Sequence, residues 1–229
     1  MLVAYLASQA CAREQVVQTA PLITILTPAA AHQRTSGLDA APLVTDPRIL
    51  EPVVRVTTRL IAAARRSGYG SRAGILCWVI AVYQNPALSR AFVTRDGGIV
   101  VYTGSFRLAQ TETGLAALLS HELAHALRHQ HAPVSPVCAA PDGRPEAFSR
   151  EEESKADESG LYLMAEAGYD PRELLRLWER MRRAQQAGDQ VLLHLTYDRR
   201  MEQIAQWLPP ALLRYEHAHR APQRVLPMD

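Results

Sequence analysis

The chain has 229 residues, 48% of them hydrophobic, enough for one sizeable core and too many for wholesale disorder. Its 25 basic and 23 acidic residues nearly cancel, which removes the electrostatic drive toward nucleic acid; the basic residues are all arginine except Lys155. No apolar run reaches the roughly 18 residues of a membrane span, which excludes a polytopic membrane protein.

Met1 to Ala10 is apolar, and Ser8-Gln9-Ala10-Cys11 resembles a lipoprotein cleavage site without its usual leucine or a basic lead-in. The segment reads either as the remnant of an export signal, with Cys11 a point for a lipid anchor, or as an ordinary terminus. The first reading predicts a periplasmic or membrane-associated protein on the extracytoplasmic side; the second predicts a cytoplasmic one. Cys77 and Cys138 are then either a pair or two free thiols, according to compartment.

Residues 13 to 48 are rich in Ala, Thr and Pro without a sustained period and predict a loosely packed arm. This divides the chain into an arm, 1–48, and a folded domain, 49–229. Apolar positions at helical spacing predict a helix over 49–66, closed by Gly68. The apolar run from Ala73 to Tyr83 predicts a buried strand over 75–83. Ala91 to Thr94 and Gly98 to Thr103 are rich in β-formers, with Asp96-Gly97 as the hairpin turn. From Thr111 the chain reads as helical, starting with a helix to about His129. A loop over 132–146 follows, which could be a lid or an inert connection. Ser149 and Glu152 form a capping box for the next helix, and Asp170-Pro171 with Glu173 opens a third. A fourth begins near Asp198 and is predicted to end at Pro209-Pro210. The fold class is α+β, a small sheet followed by a helical array.

Residues 121 to 125 read His-Glu-Leu-Ala-His. Positions four apart share a helix face, so His121 and His125 can put two ring nitrogens on one ion. Glu122, about 100° further round, can reach a water on that ion. The flanking Leu115, Leu118, Leu119, Leu123 and Leu127 bury the helix, where an imidazole pair is costly unless satisfied, and a metal satisfies it. A catalytic zinc takes three protein ligands and leaves a position open. Glu153, on the capped helix 28 residues after His125, is the candidate third ligand. Asp157, four residues on, can accept a hydrogen bond from the other nitrogen of a ligating histidine and fix its tautomer. Ala156 and Gly160 are small enough to let the two helices approach closely. Glu151 and Glu152 are read as helix N-terminal acids that suit the dipole.

Four stretches resemble the gluzincin zinc endopeptidases that include HtpX, BepA, LoiP and the CAAX prenyl endopeptidases, nearest the soluble bacterial members. They are Leu115-Ala116 leading into His121–His125 with His129, and Ser149-Arg150 through Glu153 and Asp157 to Ala167-Gly168-Tyr169-Asp170-Pro171. The others are Ala91-Phe92 with Gly97-Gly98-Ile99-Val100-Val101-Tyr102-Thr103-Gly104, and His194 with Arg200. The chain departs from the family where Arg90 replaces an asparagine and Leu195 a proline. The resemblance implies a mostly helical zincin-like domain, one Zn2+ per chain and polypeptide substrates. It also implies a role in protein quality control, with Gly98–Thr103 as an edge strand that aligns substrate backbone. His194 is the first candidate for stabilising the oxyanion and Tyr197 the second. His129 reads as a residue just outside the site, and His217 and His219 carry no metal role.

The leading functional reading is a zinc-dependent endopeptidase acting on unfolded or misassembled proteins, with a metal-activated water and Glu122 as general base. The alternative is a zinc-binding chaperone-like or assembly module of the same fold with little turnover.

Overall fold

The computed structural model describes residues 17–20, 23–26, 41–94, 96–128, 148–188 and 197–227. Its elements in chain order are β1 (Val17–Ala20), β2 (Ile23–Ile25), α1 (Pro47–Arg66), α2 (Gly70–Ile75), β3 (Trp78–Tyr83), β4 (Ala91–Val93), β5 (Gly98–Tyr102), α3 (Ser105–Ala109), α4 (Glu112–Arg128), α5 (Arg150–Glu166), α6 (Arg172–Gln186) and α7 (Tyr197–His217). The mostly helical α+β class is as expected.

The helices start where the sequence supplies caps. Asp46 accepts from the Arg48 N–H ahead of α1, with Pro47 in the first turn, where its missing N–H costs nothing. Ser149 and Glu152 close a full capping box on α5. The Asp96-Gly97 turn is also present, and Gly97 at φ 101° adopts a conformation that a side chain would strain.

The five strands lie in the order β1-β2-β3-β5-β4. β3 pairs in parallel with β2 and β5, while β4 pairs antiparallel with β5. One face, with Ile80, Val82, Ala91, Val93, Ile99 and Val101, joins the helical core. The other carries Val79, Ala81, Tyr83, Phe92, Val100 and Tyr102 in a smaller apolar cluster.

Four expectations are corrected. Part of the predicted arm is not loose: residues 17–20 and 23–25 form β1 and β2, and Ile23 and Leu26 are buried. The apolar run 73–83 is split between the end of α2 and β3, because an unbroken apolar run carries no period to separate helix from strand. Gly98–Thr103 is not an edge: β5 runs inside the sheet, and β4 takes the edge beyond it. The last helix does not stop at Pro209-Pro210 but continues to His217. Ala205 and Gln206, whose carbonyls lose their helical donors to the two prolines, are exposed to water, while Ile204 and Ala211 anchor the helix on either side.

Helix α4 runs through the centre, buried at every residue from Glu112 to Leu127. Helix α5 packs against it at the small residues that the sequence pointed to. A Cβ at Gly160 would sit 2.9 Å from the main-chain nitrogen of His121, so the two backbones touch at that histidine. The loop over 132–146 lies outside the described residues.

Candidate metal centre

His121 and His125 project from one face of α4, and Glu153 faces them from the first turn of α5. All three are buried, with 0, 3 and 1% of their surface exposed. The two Nε2 atoms are 3.3 Å apart. Glu153 places Oε2 3.3 Å from Nε2 of His121 and Oε1 3.5 Å from Nε2 of His125. Two ligands about 2.0–2.1 Å from a tetrahedral zinc are about 3.3–3.4 Å from each other, so the donor triangle has the dimensions of a zinc site. Neither oxygen of Glu153 has a hydrogen-bond partner. A buried carboxylate without an aligned hydrogen bond to either oxygen is costly even with charged neighbours at 3.3–3.5 Å, and a cation among these three donors removes that cost. Among the described residues, this is the one group of three or more His, Cys, Asp or Glu side chains that could hold a metal.

Asp157 and Arg200 back the triangle. Nδ1 of His121 lies 2.9 Å from Oδ1 of Asp157, within ion-pair distance though not aligned as a hydrogen bond. Arg200, buried on α7, donates to Asp157 through Nε at 2.7 Å and Nη2 at 2.8 Å, and its Nη1 is 3.3 Å from Glu153 Oε2. The Trp178 ring on α6 stands edge-on to His121 at 5.3 Å and carries the Arg200 guanidinium over its face at 4.9 Å. Phe148 stacks on the His125 ring at 3.7 Å, nearly parallel.

These contacts set the titration of the group. Burial pushes Glu122 up to about 7. For His121, burial favours the neutral ring, but Asp157 and Glu153 outweigh it and raise the pKa to about 9 when no metal is present. Burial likewise pushes Glu153 and Asp157 up. The imidazoles and Arg200 outweigh it for Glu153, as Arg200 and His121 do for Asp157, and both carboxyls stay below their ordinary range.

The structure thus brings His121, Glu122, His125, Glu153 and Asp157 together. His194, His129 and the Tyr197 side chain lie outside the described residues. His217 places Nδ1 2.6 Å from the carbonyl of Leu213 within its own helix, away from the site. Sequence reasoning missed Trp178 and Phe148, for which no motif exists. Arg200 was visible only as a residue six positions after His194.

The family model for Peptidase family M48 matches residues 51–140 and 134–220. The chain is 32% identical over 191 residues to the mitochondrial metalloendopeptidase OMA1 of Schizosaccharomyces pombe, covering 72% of this chain and 54% of that protein. It is 29% identical over 173 residues to the protein of the same name from Saccharomyces cerevisiae, covering 62% and 50%. The Arabidopsis thaliana OMA1 is 28% identical over 156 residues, 57% of this chain and 32% of that one. The chain thus spans about half the length of the two yeast relatives. It belongs to peptidase family M48.

Proposed function

We propose that the chain hydrolyses internal peptide bonds in unfolded or misassembled polypeptides at a zinc ion held by His121, His125 and Glu153. The observation that carries this reading is the buried donor triangle 3.3 to 3.5 Å on a side, with Glu122 next to its first member. Zinc, when bound, polarises a carbonyl and brings the pKa of bound water to about 7. Glu122 acts as general base: a carboxylate oxygen takes the water proton and returns it to the leaving amine. Burial holds this carboxyl near 7, and a cation beside it draws it back toward the charged form that the step requires. Asp157 orients His121, and Arg200 orients Asp157. His194 is the candidate donor to the developing oxyanion.

Substrate is proposed to pair its backbone with the outer edge of β4. Main-chain pairing favours extended, unfolded segments with little regard for sequence. Cys77 carries a disulfide whose partner lies outside the described residues. A disulfide suits an oxidising setting, which supports a periplasmic or membrane-associated place on the extracytoplasmic side. No described helix is long and apolar enough to cross a membrane.

The test is Glu122→Gln. The variant should keep one zinc per chain by elemental analysis and lose more than about 1,000-fold of casein cleavage. Cleavage at the wild-type rate would remove Glu122 from the mechanism. The burial of the donor triangle, with Phe148 stacked on His125, favours a second reading, a zinc-holding assembly module with little turnover. That reading predicts partner binding by a wild-type protein that is inactive on open peptides.

A further inference from the structure

We propose that Arg90, at the head of the edge strand β4, binds a carboxylate of the peptide substrate and so helps to select where a chain is cut. The inference rests on the endopeptidase reading above and adds a specificity to it.

The main chain around Arg90 is fixed on one side and open on the other. Its carbonyl accepts from the Tyr102 N–H at 3.0 Å and from the Ser105 hydroxyl at 2.7 Å. Thr94 N–H donates to Gly98 at 2.8 Å. Residues 90, 92 and 94 therefore turn their main-chain groups toward β5, and by alternation Ala91 and Val93 turn theirs outward. Among the described residues β4 has a strand neighbour on one side alone, so a peptide added to the sheet there lies next to Arg90.

The side chain is placed to meet such a peptide. Arg90 is half-buried, and its guanidinium lies over the Phe92 ring, 4.9 Å from the centroid. No carboxylate pairs with it among the described residues. Other arginines of the region are committed: Arg55 to Glu112, Arg180 to Glu173 and Arg200 to Asp157. β4 packs against α4, and the charge of Arg90 reaches the Glu122 carboxylate. A guanidinium stacked on an aromatic face is held in place, so it loses little freedom on binding a carboxylate, which it can grip with two parallel hydrogen bonds.

The carboxylate can come from an Asp or Glu side chain or from a chain terminus. Labelled peptides with one Glu or its Gln match at successive positions, each ending in a free acid or an amide, separate the two sources. Binding is read by fluorescence anisotropy on zinc-loaded Glu122→Gln protein, where turnover plays no part. One Glu position, or the free acid, should bind about tenfold tighter than its neutral match. Adding Arg90→Gln should bring that ratio to near one, and Arg90→Lys should retain part of it. In cleavage by protein with Glu122 intact, the loss should fall on KM rather than kcat. A preference that survives Arg90→Gln overturns the proposal, as does the absence of any charge preference, failure of both peptides to bind included. Cleavage of the neutral peptides reports separately on the endopeptidase reading.

Discussion

Helices α4 and α6 lie side by side and are of similar length, 17 and 15 residues, yet they handle charge in opposite ways. α4 is buried all round and takes two histidines and two glutamates into the interior. α6 buries only Leu174, Leu177, Trp178 and Met181 and leaves its glutamates and arginines near water, paired as Glu173 with Arg180 and Glu179 with Arg182 and Arg183. A charge in the interior is tolerable only where each partner is present, so it couples residues far apart in sequence. A surface pair is exchangeable, because water replaces whatever is lost.

The contrast can be broken most severely at the third ligand. Glu153→Gln keeps the shape and removes the charge; zinc affinity should fall by more than about 100-fold, read by competition with a chromogenic chelator. Unchanged affinity would place the metal elsewhere. Arg200→Leu leaves the Asp157 carboxylate buried without its two hydrogen bonds from the guanidinium and should destabilise the fold by about 3–5 kcal/mol in denaturant unfolding. Arg200→Lys should recover part of that, because an ammonium cannot reproduce the paired hydrogen bonds.

The pH dependence of the metal-free protein sharpens the same point. His121 is raised from 6.5 to about 9, so its stabilising contribution is complete below 6.5 and is lost as pH rises through 9. Glu122, raised from 4.5 to about 7, acts with the same sign over its own window, since the folded state prefers its neutral form. Glu153 and Asp157 are lowered, so their contributions disappear in acid as they protonate. The metal-free Tm should therefore peak at about pH 5 to 6 and decline toward pH 9. Zinc replaces the His121 proton, so the loaded protein should hold its Tm across pH 6.5 to 9; equal declines with and without zinc would refute the account. The smallest effect belongs to α6, where Glu179→Ala removes two ion pairs and should change stability by less than about 0.5 kcal/mol.

The same difference decides what could be read from the sequence. The capping box at Ser149 and the Asp96-Gly97 turn were legible because both are local, their partners lying within a few positions. The metal triangle was legible from a spacing of four on each helix, although α4, buried on every side, has no apolar stripe to announce it. The bond from Arg200 to Asp157 spans 43 positions and has no spacing rule. The place of β5 inside the sheet was hidden for a related reason: strand order is fixed by where β4 lands, which is a property of the whole fold. At Pro209-Pro210 a sound local rule met an exposed face, where the freed carbonyls lie in reach of water and the helix could continue.

The glycine at position 160 has a consequence for which ion the protein admits. Because α4 and α5 meet backbone to backbone at His121, their separation is set by the hard radii of main-chain atoms and not by the guest. Such a socket cannot dilate. An ion like calcium, which wants more oxygens at about 2.3–2.6 Å, finds the walls too near and too rich in nitrogen, whereas a small, nitrogen-tolerant cation enters without moving either helix.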